Sequence, residues 1–150
     1  MSDKLTPAQR SAHMARIRRS DTRPERLVRS LLHKLGYRFR IQLKGVPGRP
    51  DVAFPRRRIA IMIHGCFWHA HGRASSNMPK TRTDFWAAKF SANKARDARL
   101  QKAAEAAGWQ CLVIWECETR DRVALAERLY TALGPPRLSA SERDTLISSR

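Results

Sequence analysis

Acidic residues are scarce in this sequence: thirteen Asp and Glu stand against thirty Lys and Arg over 150 residues, a formal charge of +17. A folded body with that excess repels itself unless polyanions are near. Nucleic acid is therefore the natural partner, and a merely soluble basic surface is the weaker explanation. Long apolar runs are lacking too. No stretch approaches the roughly 18 residues of a membrane-spanning helix, so no membrane association is expected. The polar opening Met1-Ser2-Asp3-Lys4 does not resemble a signal peptide, and a cytoplasmic location is expected. Cysteine is limited to Cys66, Cys111 and Cys117. An odd number in a cytosolic chain argues against a disulfide framework and leaves an inert buried thiol, thiol chemistry or metal binding as the readings. No internal repeat is present, and the length suits one domain with a core of its own.

What is present divides into three parts. Residues 1–20 read as a basic arm contacting DNA. Thr6-Pro7 opens a helix in it, and Arg16 and Arg19 lie beside a thin stripe of alanines. The main domain spans residues 21–134. Thr22-Arg23-Pro24-Glu25 has capping-box spacing, and Leu27, Val28, Leu31, Leu32 and Leu35 trace one buried face, predicting a helix over 22–35 closed by Gly36. Tyr37, Phe39, Ile41 and Leu43 alternate with polar residues and predict a strand. Short strands at 51–54 and 59–63 complete a predicted meander, the second of them apolar throughout and so covered on both faces. From His64 to about Arg82 the chain reads as a long functional loop. A helix from Thr83 or Asp84 to Gly108, a strand over 109–116 and a helix over 122–133 follow. Residues 135–150, after Gly134-Pro135-Pro136, are expected to form a tail without fixed order. The element order predicts an α/β fold, a mixed sheet flanked by helices.

Chemistry concentrates in two places. Pro47-Gly48-Arg49-Pro50-Asp51 sets a carboxylate at the start of a strand, and the next strand ends in Ile63-His64. If the two pair as a hairpin, Asp51 and His64 share one end of the sheet. Such a site suits Mg²⁺, which takes one or two carboxylates, a carbonyl, waters and phosphate oxygens. A turn-forming aspartate is the plainer reading of Asp51 alone. The second place is His64-Gly65-Cys66-Phe67-Trp68-His69-Ala70-His71, where imidazoles, a thiol and two aromatics crowd together. His69 or His64 can act as a general base near neutral pH.

These segments, with Thr81-Arg82-Thr83-Asp84-Phe85-Trp86 and Trp115-Glu116-Cys117, resemble the very short patch repair (Vsr) mismatch endonucleases from about Arg10 to Arg120. The resemblance implies a restriction-endonuclease-like core. It also implies a Mg²⁺-dependent, strand-specific nick beside the T of a T:G mismatch left by deamination of 5-methylcytosine. Asp51 would be the central Mg²⁺ ligand with the carbonyl of Ile63 beside it. His69 would be the base, and His64 and Glu25 would hold water, although the capping box alone accounts for Glu25. Phe67, Trp68 and Trp86, with Met14 from the arm, would form a wedge entering the base stack, where a mismatched pair is cheaper to open. Taken singly, Trp86 reads as a helix core residue. A cytosine-5 DNA methyltransferase would be the functional companion, the protein would act as a monomer, and its place would be the bacterial nucleoid.

The family's zinc site is matched by Cys66, His71 and Cys117, but its fourth position here is Arg73, which cannot bind a metal. Cys111 is a poor substitute, since six residues of extended strand put it about 20 Å from Cys117. Zn²⁺ binding thus stays open. Two other functions compete with the mismatch nickase: a related restriction or homing nuclease that cuts intact sites, and a basic DNA-binding module without catalysis.

Overall fold

A computed structural model describes residues 6–16, 21–66 and 82–136. Its elements in chain order are α1 (Pro7–Arg16), α2 (Arg23–Lys34), β1 (Val52–Phe54), β2 (Ile59–His64), α3 (Thr83–Ala106), β3 (Gln110–Trp115), a 3₁₀ turn (Glu116–Arg120) and α4 (Arg122–Leu133). Among the described residues the sheet has the order β1-β2-β3. β1 and β2 form an antiparallel hairpin, Val52 opposite Ile61, while β2 and β3 run parallel with α3 as the crossover, His64 opposite Trp115.

The alternation of side chains along the strands decides what lies on each face. Val52, Phe54, Ile59 and Ile61 pack with Val28 and Leu32 of α2 and Leu125, Leu129 and Leu133 of α4. Ala53 and Ala60 point the other way and meet Ala104 of α3, together with Val46 and Trp109. Methyl-sized contacts let α3 lie close to the sheet, whereas the branched side chains on the opposite face fill a wider gap. The result is a single α/β domain with helices on both faces of a mixed sheet, in keeping with a restriction-endonuclease-like fold.

Local signals explain most boundaries. The Thr22 hydroxyl accepts from the Glu25 amide at the start of α2. At its end Gly36, at φ +91°, closes a Schellman turn in which the amides of Gly36 and Tyr37 donate to His33 and Leu32. The Asp121 carboxylate caps α4 by accepting from Ala124 at 3.1 Å. The far end of α4 is tied to the sheet by Arg57, which donates to the carbonyls of Leu133 and Pro135 and lies over the Tyr37 and Phe54 rings.

The segment 37–43 departs from the predicted strand. Only Arg40 pairs, exchanging backbone hydrogen bonds of 2.9 and 2.8 Å with Ala53. Tyr37 and Phe39 stack edge-on against Phe54, so their side of the alternation is real. Ile41 is 52% exposed, however, and Gln42 adopts φ +48°, which ends extended structure. The meander therefore reduces to one hairpin with a single added bridge. The 3₁₀ turn after β3 is a further difference; it shortens the predicted strand by one residue and fills the gap before α4. No helix among the described residues is long and apolar enough to cross a membrane.

Leu129 is fully buried where α4 meets the sheet. Leu129→Ala should destabilise the protein by about 2–5 kcal/mol, the range for emptying a well-packed leucine site, measured by urea denaturation.

Candidate active site

A cleft of about 390 Å³ opens at the end of the sheet where β2 finishes. Glu25, Asp51, Ile63 and His64 line it together, with Arg96, Asp97 and Gln101 from α3. Three separate elements thus deliver their polar groups to one place: the first turn of α2, the β1–β2 hairpin and the middle of α3.

Asp51 is positioned by the turn before it. Pro50 is fully buried, and Gly48 has φ +83° with its Cα against Met62 and Leu100; an added Cβ would sit 3.2 Å from the Met62 methyl. A side chain at Gly48 would therefore be strained in both backbone and packing. The Asp51 carboxylate accepts the Ile63 amide at 2.7 Å through one oxygen and the Gln42 side-chain amide at 3.3 Å through the other. Burial raises its pKa to about 6; the Ile63 hydrogen bond opposes this and the neighbouring Glu25 adds to it.

Glu25 is only 4% exposed. Its carboxylate accepts from the Asp21 amide at 2.9 Å and from the Thr22 hydroxyl at 3.1 Å. The same group both caps α2 and lines the cleft, so the two readings of this residue are compatible. His64, the last residue of β2, lies edge-on to Trp115 at 5.3 Å. Asp97 has Arg96 beside it at 3.7 Å.

The donor set suits a hard cation. Three carboxylates, Glu25, Asp51 and Asp97, and the end of a β-strand border an open cleft, which leaves room for waters and phosphate oxygens. No group of three or more His, Cys, Asp and Glu side chains gathers around a point among the described residues. Octahedral Mg²⁺ sites commonly use fewer side chains than that.

Cys66 and Cys117 meet beyond the parallel pair of strands. Burial and the hydrogen-bonded Cys66 thiol both push the Cys117 thiol up from its usual range. His71 and Arg73 lie outside the described residues, as do Phe67, Trp68, His69 and Arg19; the side chains of Met14 and Arg16 do as well. Trp86 is 8% exposed, with its ring 5.9 Å from Phe90. Its neighbour Phe85 is 46% exposed, beneath Arg82 at 4.6 Å.

Sequence reasoning passed over Gln42, Arg96, Asp97 and Gln101. Gln42 sat on the polar side of an expected strand. Asp97 is one of few carboxylates in a helix rich in Lys and Arg, and it shares a face with Leu100 and Gln101 at helical spacing. That spacing was the available signal.

Comparison with known proteins supplies the family. Residues 2–75 match the family described as DNA mismatch endonuclease Vsr. The type II nicking enzyme V.XorIIP of Xanthomonas oryzae pv. oryzae is 49% identical, covering 90% of this chain and 99% of its own. This chain belongs to the Vsr family of endonucleases. The DNA mismatch endonuclease Vsr of Escherichia coli is 40% identical over 87% of this chain and 84% of its own. The type II nicking enzyme V.NmeAIP of Neisseria meningitidis is 37% identical over 86% and 92%. The chain is therefore a nuclease acting on DNA, and a binding module without catalysis is set aside.

In the metal-free protein Asp51 keeps its proton up to about pH 6, whereas the unfolded chain loses it near pH 4. Because the folded state binds the extra proton between these values, stability should fall as pH rises from about 4 to about 6 and stay lower above. Asp51→Asn removes the charge and should raise the neutral-pH stability of the metal-free protein by about 1–3 kcal/mol. Chemical denaturation at pH 4.5 and 7 in a chelator checks this; a variant less stable than the parent at pH 7 would contradict it.

Proposed function

We propose that this Vsr-family chain nicks double-stranded DNA on the 5′ side of the T in a T:G mismatch formed by deamination of 5-methylcytosine, and so initiates very short patch repair. It would act as a monomer in the bacterial cytoplasm, at the nucleoid, as companion to a cytosine-5 DNA methyltransferase. One observation carries the reading: Asp51, Glu25, Ile63 and His64 converge on a single open cleft in a chain of charge +17. The relatives named a mismatch endonuclease and nicking enzymes support a single-strand cut at a mismatch.

The cleft fits Mg²⁺ held by Asp51 and the Ile63 carbonyl. When bound, the ion would supply positive charge against the developing charge on the phosphate and on the departing oxygen. The protein's own groups do the rest. The Ile63 amide fixes the rotation of the Asp51 carboxylate, so the ligand does not have to be ordered when DNA arrives. Glu25 and His64 orient water at the mouth of the cleft. His69 accepts the proton of the attacking water, a role that an imidazole suits.

The arm of residues 1–20 grips the duplex, with Arg16 and Arg19 on phosphates. Phe67, Trp68, Trp86 and Met14 enter the base stack at the mismatch. Trp86 can take part only by leaving its packing against Phe90, so its contribution requires a rearrangement at the start of α3. Zinc is a separate matter. Cys66, His71 and Cys117 are one ligand short of a structural site, and tight binding needs a donor other than Arg73.

The decisive experiment compares Mg²⁺-dependent nicking of T:G and C:G duplexes of identical sequence. Cutting confined to the T strand of the mismatch is expected; equal rates on both duplexes would identify a nuclease of intact sites instead. Asp51→Ala should abolish nicking while leaving duplex affinity largely unchanged, read by gel shift at a fixed salt concentration, because counterion release makes affinity salt-dependent.

A further inference from the structure

α2 has two working faces. Val28 and Leu32 enter the core and Glu25 turns toward the cleft. At about 100° of rotation per residue, Arg23, Arg26, Leu27, Ser30, Leu31 and Lys34 form a stripe centred opposite Glu25. That stripe, with Arg122 from the start of α4, lines a second groove of about 360 Å³.

The composition of the groove is unlike that of a solvated helix face. Leu27 and Leu31, one turn apart and expected on the buried face, are only half-buried and form an apolar floor, with Leu31 also packing against the core. Arg23, Arg26, Lys34 and Arg122 surround them, all exposed, and none of these side chains has a hydrogen-bond or ion-pair partner among the described residues. No carboxylate among the described residues lines the groove. Arg29, by contrast, on the same helix but off this stripe, is ion-paired with Asp21. Four like charges around an apolar strip, with no anionic partner among the described residues, repel one another until an anionic surface covers them.

Charge alone would suit either DNA or an acidic protein. Two features favour the protein. Glu25 shares the side of α2 that Val28 and Leu32 bury, so DNA seated on the catalytic cleft would lie away from this outer face. Phosphate contacts are made by polar and cationic groups and have no use for a leucine floor, whereas an apolar centre rimmed by arginine is the usual build of a protein interface. Leucines at i and i+4 are also the spacing by which one helix seats another. We propose that the outer face of α2 docks a partner protein through an acidic amphipathic helix, its leucine-sized residues on Leu27 and Leu31 and its carboxylates on the four cations. The partner would be held while the enzyme is on DNA.

The test uses the full chain and a fluorescent synthetic helix with leucines at i and i+4 flanked by glutamates. A peptide of the same composition with scrambled order controls for bulk charge. By anisotropy the ordered peptide should bind about tenfold more tightly than the scrambled one, roughly 1.4 kcal/mol, with or without a bound duplex. Arg26→Glu/Lys34→Glu, and separately Leu27→Ser, should bring both peptides to the same weak affinity. Nicking of a mismatched duplex should stay unchanged and thermal melting should stay cooperative in these variants, which shows that they fold. Equal affinity of the two peptides for the parent protein would overturn the proposal. A loss of duplex affinity in Arg26→Glu/Lys34→Glu would reassign the face to DNA. A dimer in sedimentation that the same variant dissociates would reassign it to a second copy of this chain.

Discussion

The hydrogen bond from the Ile63 amide to the Asp51 carboxylate, 2.7 Å long, holds the site and the sheet to one another. It lies just past the last paired residues of the β1–β2 hairpin, so a side chain takes over where the ladder stops. The acceptor is partly buried beside a second carboxylate, an arrangement that disfavours the ionised form unless a cation is added. The turn at Pro47–Pro50, the tight approach of Gly48 to Met62 and Leu100, and the reach of Gln42 all serve to keep that carboxylate where it is.

Elements whose own residues set their limits were legible in the sequence. α2 is bracketed by Thr22 and Gly36 and α4 by Asp121 and Gly134, and both were read to within a residue or two. β2 was legible from its continuous apolar run, whose first half is buried on both faces, and β3 from the apolar residues Leu112 to Trp115. The segment 37–43 misled because its aromatic half packs as a strand would, while its other half bends to bring Gln42 to Asp51. Function overrode the local period there. That Asp51 and the Ile63-His64 end of β2 share one cleft followed from pairing two short strands, whereas Glu25, on α2, read from its own pattern only as a cap. Asp97 and Arg96 did not, because they arrive on a crossover helix whose rotation against the sheet is set by tertiary packing and not by any local pattern.

The excess of positive charge is not one continuous field with one purpose. Some cations are structural: Arg57 and Arg58 donate to carbonyls and lie over aromatic rings, and Arg128 joins Glu118 to the Val113 carbonyl. Others, such as Arg96, border the cleft. Those on the outer side of α2 do neither. Sorting the basic residues by what they touch separates fold, chemistry and recognition more cleanly than net charge does.

The alanine layer between α3 and the sheet acts as a gauge. Ala53, Ala60 and Ala104 fix the height of the crossover helix, and that height decides how far Arg96 and Asp97 lean over the cleft. An extra methylene in this layer would tilt the helix like a shim under a beam. The chemistry could thus be retuned from the interior, with every cleft residue left in its original identity.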